Sequence, residues 1–145
     1  IPNADLREKF KVANEQITGH VSSLGLIGAE AAFSGACDDW LAELLPYLKS
    51  NRDFMADYLI ENFPDLHFTI PNATYLAWLD FGEYVKSGKI EGSPFDFFLK
   101  EAKVAFTEGK PFGEGCENIV RLNFACPRSM LADGLERMRK AVYKL

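Results

Sequence analysis

The chain has 145 residues, 48% hydrophobic and 26% charged, with a formal net charge of -5 and a pI near 5.1. That composition describes one soluble domain with a core of its own, large enough to dispense with disulfides or a structural metal. The acidic balance excludes binding to a phosphate backbone, which needs clustered Lys and Arg. No run approaches the ~20 apolar residues of a membrane span, and the start IPNADLREKF has no signal-peptide apolar stretch.

In chain order, Asn3 reads as the N-cap of a helix through about Asn14, with Leu6, Phe10 and Ala13 on one face, and Gly19 breaks it. The Gly- and Ala-rich run SSLGLIGAEAAFSG reads as a tightly packed helix ending at Gly35, because small side chains lower helix propensity unless a neighbouring backbone must come close. Asp38 or Asp39 caps the next and longest helix, where Leu41, Leu45, Leu48, Met55 and Leu59 recur at helical spacing up to Phe63 and Pro64. Pro46 removes a backbone hydrogen bond there and predicts a kink or a split.

Beyond Pro64 the period becomes two. Leu66, Phe68 and Ile70 share a face, and a short turn at Pro71 and Asn72 leads into TYLAWLDF, giving a hairpin. The second strand is apolar on both sides, which predicts a central position covered on both faces. Ser93 and Pro94 open a short helix that buries Phe95, Phe98, Leu99 and Ala102, and KVAF reads as a brief strand. The loop TEGKPFGEGCEN precedes the strand of Val120, Leu122 and Phe124, and Ser129 caps a final helix with Leu131, Leu135, Met138 and Val142 inward. The sum is an α+β layer of helices against a small sheet, without internal repeats.

The chemistry is sparse. Cys37, Cys116 and Cys126 are odd in number and lack C-x-x-C spacing, while His20 and His67 sit far apart, so neither a metal site nor a disulfide framework is expected and a reducing cytoplasm is. No catalytic Ser, His and Asp arrangement is legible. Arg121 and Asn123 project from one face of their strand. A lone strand arginine is ordinarily a solvated surface residue; beside an amide donor on a rigid strand it also suits a planar carboxylate, gripped by two parallel charge-assisted hydrogen bonds. Gly109, Gly113 and Gly115 in the preceding loop offer close backbone approach to a ligand, but GKP lacks the Ser or Thr and the following helix of a phosphate loop.

Three blocks in order, DDWLAELLPYLKSNRDF, PNATYLAWLDF and EGKPFGEGCENIVRLNFACPRSML, closely resemble the C-terminal part of fold-type I pyridoxal-phosphate enzymes of the MalY/PatB group, carbon-sulfur lyases related to class I and II aminotransferases. Trp40, Leu41 and Asn51 match the first block, Thr74 to Asp80 the second, and Gly109, Phe112, Gly113, Arg121 and Asn123 the third. The resemblance implies that Arg121 and Asn123 bind the substrate's α-carboxylate. It implies that residues 1–145 are the small C-terminal domain with its connecting helices, including a long interdomain helix. The Schiff-base lysine and most pyridoxal phosphate ligands then belong to a large domain that this sequence lacks, so no residue here is catalytic or cofactor-binding.

The implied parent is a cystathionine beta-lyase-like enzyme acting on sulfur amino acids, with an aminotransferase of the same family as the alternative and a non-catalytic dimerisation module as a second. The fragment alone is expected to be inactive. Opening on Ile1 rather than Met, the sequence also reads as a piece of a longer polypeptide. Without the large domain, the small-residue face of 22–36 and the apolar stripe of the long helix are expected to drive homodimerisation or self-association.

Overall fold

The computed structural model describes residues 1–17 and 21–145; Gly19 and His20, read above as a helix breaker and an isolated histidine, lie outside the described residues. The chain divides into two compact units, residues 1–42 and 43–145.

The first unit is helical. α1 (Ala4–Ile17) starts at the expected cap, with the Leu6 N–H donating to Asn3 Oδ1 at 3.0 Å. α2 (Ser23–Phe33) forms over the Gly/Ala run, and Gly35 beyond it takes the left-handed φ of +82° that favours glycine. No residue of α2 is buried, so the close neighbour that its small side chains allow is not among the described residues. α3 (Asp38–Asn62) begins in this unit, its first-turn bond running from the Leu41 N–H to the Cys37 carbonyl. Asp38 and Asp39 are therefore first-turn acids that favour the helix dipole rather than caps. α3 is not split at Pro46, since one lost hydrogen bond leaves the helical turns on both sides intact.

The second unit holds the core. A four-stranded antiparallel sheet runs in the order β1 (His67–Phe68), β2 (Leu76–Asp80), β4 (Ile119–Asn123), β3 (Thr107–Glu108). Ala77 and Leu79 of β2, with Val120 and Leu122 of β4, face Met55 and Leu59 of α3 and Leu131, Leu135, Met138 and Val142 of α6 (Arg128–Tyr143) in one buried cluster. The inward stripe of α6 is the one its spacing predicts. Phe63, Phe81, Tyr84 and Phe98 extend the core with edge-on aromatic contacts.

Several local expectations change. The first two strands pair only through His67 with Asp80 and Phe68 with Leu79, so the loop between them is longer than a tight turn. β2 is central but covered on one face, and Trp78 stands 39% exposed on the other. A short α4 (Gly82–Lys86) precedes α5 (Pro94–Phe97), whose N-cap Ser93 accepts from the Asp96 N–H at 3.2 Å. A π-helical turn, Phe98–Ala102, continues α5; its wider winding buries Phe98 and Ala102 and turns Leu99 out to solvent. KVAF is not a strand: Val104 and Phe106 pack on the core, and pairing begins at Thr107. α6 starts one residue before Ser129, because the Tyr47 hydroxyl of α3 accepts the Arg128 N–H at 3.0 Å and does the work of a cap.

Candidate functional site

The open face of the sheet is built by register. Trp78 lies opposite Arg121 on one side and Thr107 opposite it on the other, forming a single cross-strand row, with Leu76 and Asn123 in the next. The alternation that buries Val120 and Leu122 necessarily delivers Arg121 and Asn123 together to this face.

The loop before β4 shapes the row. The Gly109 N–H donates to the Ile119 carbonyl at 2.9 Å, and an added Cβ would run into the carbonyl oxygens of Ile119 and Cys116. Only glycine fits, and what it approaches is the protein's own backbone rather than a ligand. The 3-10 turn Lys110–Phe112 follows, closed by a 2.9 Å bond from the Phe112 N–H to the Gly109 carbonyl. It carries the Phe112 ring over the sheet, 5.2 Å from the Arg121 guanidinium carbon and 4.9 Å from the Trp78 ring, edge to face. Arg121 Nη2 donates to Thr107 Oγ1 at 3.3 Å. Its Nε is buried and has no hydrogen-bond partner among the described residues.

Asn123 closes a tight side-chain turn: its Oδ1 accepts the Ala125 N–H at 2.8 Å, which leaves the amide N–H₂ as its donor end. A pocket of about 390 Å³ touches the two from the α6 side, walled also by Phe106, Leu122, Cys126, Met130 and Leu131; neither Trp78 nor Phe112 lines it. Its volume falls within the range of small-molecule sites. Burial pushes the Cys126 thiol upward, away from a reactive thiolate.

A second polar cluster fixes the exit of β4. Asn51 of α3 is fully buried and spends every side-chain atom that can bond: Nδ2 donates to the Phe124 and Cys126 carbonyls at 3.0 and 2.8 Å, and Oδ1 accepts from Arg128 Nε at 2.8 Å. Arg128 also donates to Ser50 Oγ and lies 4.4 Å over the Phe54 ring. Asn51 matched the family pattern by position, but its partners more than 70 residues away carry no local signal in the sequence. Trp40 and Leu41, matched in the same block, are exposed in the first unit. No helix among the described residues is long and apolar enough to cross a membrane.

With this geometry in place, the comparisons with known proteins are specific. The chain is 35% identical over 96% of its length to a putative cystathionine beta-lyase of Mycobacterium leprae, covering 36% of that protein. It superposes on the pyridoxal-phosphate-bound C-S lyase of Staphylococcus hominis with a TM-score of 0.83 and 32% identity, over 99% of this chain and 37% of that one. The sequence and fold match the C-terminal portion of the fold-type I cystathionine beta-lyases. A putative beta-cystathionase of Corynebacterium diphtheriae agrees with that lyase family, at 40% identity and a TM-score of 0.80 over 97% of this chain and 36% of that one. The chain thus spans about a third of the length of the lyases it matches. No protein-family model matches it.

Proposed function

We propose that residues 1–145 are the substrate-anchoring C-terminal part of a pyridoxal-phosphate-dependent carbon-sulfur beta-lyase acting on sulfur amino acids, and that Arg121 with Asn123 holds the substrate's α-carboxylate. The observation that carries this reading is the state of Arg121. Its guanidinium is held on the open face of a rigid strand, uses one bond on Thr107, and stands on the same face as Asn123, whose amide N–H₂ is not used in the Ala125 turn. A carboxylate is the group that such a planar fork fits best. Anchoring the carboxylate fixes the rotation of the substituents on the substrate's Cα, so that one bond is presented for cleavage at no further entropic cost.

The residues present do not fit the cofactor's covalent site. A lysine that carries pyridoxal phosphate must be desolvated or set beside another cation, and none of the positions at which this chain matches the family pattern is a lysine. We therefore assign the cofactor to the remainder of the full-length protein, and expect residues 1–145 alone to be inactive. A cytoplasmic setting is proposed from the odd number and the spacing of the three cysteines.

In the full-length protein, Arg121→Ala should lower kcat/KM for the amino-acid substrate by about 100-fold or more while leaving the visible absorption of the bound cofactor unchanged. Undiminished turnover would sink the assignment. The first unit supports a further reading, self-association: Leu24, Leu26, Ile27 and Phe33 of α2 are all exposed, Phe33 at 91%. Light scattering of residues 1–145 should show mass rising with concentration, and a monomer throughout would oppose it.

A further inference from the structure

We infer that Phe112 and Thr107 are positioning residues for Arg121: they lock its guanidinium plane before any ligand arrives, and the Gly109 turn exists to place Phe112. The inference rests on the reading of Arg121 as a carboxylate anchor and adds what makes it rigid.

An arginine on the solvated face of a strand has four freely rotating side-chain torsions, and ordering them on ligand binding costs affinity. Here the freedom is already removed. Thr107 projects from β3 directly opposite Arg121 and accepts from Nη2 at 3.3 Å. Phe112 arrives from a different segment and covers the guanidinium at 5.2 Å. Trp78, opposite Arg121 on β2, holds the Phe112 ring edge to face at 4.9 Å with the planes at 90°. The group is thus tied on two sides, by an oxygen and by an aromatic ring.

The burial of Nε shows the same restraint from within. The atom is covered although it has no hydrogen-bond partner, a cost that a side chain free to rotate would relieve by turning Nε to water. Phe112 itself is half exposed, so its ring adds little to the core and its position is not explained by folding alone. A preset arginine gives a common use to an exposed phenylalanine, the glycine turn that delivers it and a threonine on an edge strand. Preorganised donors bind a carboxylate without reorganisation, which gives these residues a functional use.

The test is side-chain NMR on residues 1–145 as they stand. Arg121 Nε–H should give a resolved, slowly exchanging signal in the wild type. Phe112→Leu and Thr107→Val should each speed its exchange with water, by about 3- to 10-fold for loss of one such contact. The backbone amide spectrum of β2 and β4 should stay in place, showing that the fold is kept. Unchanged Nε–H exchange in both variants, with the fold intact, would overturn the inference. Accelerated exchange supports it even if Arg121→Ala leaves amino-acid kinetics untouched; that second result would remove the carboxylate reading while the positioning of Arg121 stood.

Discussion

Residues 43–145 and residues 1–42 are both rich in good helical sequence, and they use it differently. The second unit buries Met55, Leu59, Leu79, Val120, Leu135 and Met138 around one sheet face, and every element there has a partner. In the first unit no described residue is buried, and Leu6, Phe10, Leu24, Ile27 and Phe33 remain exposed on well-formed helices. Capping and propensity are enough to draw a helix; only a second surface turns its apolar stripe into a core. The site sits on the unit that has that second surface, because a guanidinium can be held in one orientation only by a strand that is itself held.

The sharpest way to break this comparison is to remove equivalent apolar groups from each unit. Leu59→Ala should destabilise the second unit by about 2–5 kcal/mol in denaturant unfolding, whereas Phe33→Ala should change stability by about 0.5 kcal/mol or less. Comparable losses would mean that α2 has a partner after all. Next in size, Asn51→Ala strands the Phe124 and Cys126 carbonyls and Arg128 Nε and should cost about 3 kcal/mol. Asn51→Asp should recover little, since it restores the acceptor but neither donor; full recovery would show that the Arg128 contact alone matters.

The smallest effect is one of pH. The Arg139 guanidinium, and after it the Tyr58 hydroxyl, hold Glu136 down to about 2 from its ordinary 4.5. Folded protein therefore binds fewer protons there than unfolded protein. The stabilisation is present above pH 4.5 and is lost as the pH falls towards 2. Glu136→Gln should be slightly less stable than wild type at neutral pH, with the gap closing on acidification. A gap independent of pH would place the effect in packing instead. Because the pair is surface-exposed, the difference should also shrink with salt.

What the sequence discloses follows from the range of each interaction. The Asn3 cap, the Ser93–Pro94 helix start, the inward stripe of α6 and the alternation of β4 are local patterns, and all appear where the spacing puts them. That Arg121 and Asn123 share one face of β4 is legible for the same reason. Trp78, an aromatic residue in an apolar run, reads as covered, whereas in this chain it is partly exposed and packs edge to face with Phe112. The cap of α6 was misplaced because Tyr47 supplies it from another helix. Phe112, Thr107 and Asn51 meet their partners only through the sheet and the α3 packing, so no window of sequence contains the contact. Gly109, Gly113 and Gly115 read as room for a ligand; in the structure Gly109 instead packs on the backbone at the entry to β4, and nothing lies within 4 Å of the Cβ positions of the other two.

The carboxylate assignment is tested most directly by asking the full-length protein to distinguish an amino-acid substrate from its carboxamide. The quantity is the ratio of kcat/KM for acid over amide, in wild type and in Arg121→Ala. Anchoring through Arg121 requires a wild-type ratio on the order of 100 that collapses towards one in the variant. The same ratio in both proteins would contradict it and return Arg121 to the role of a surface arginine.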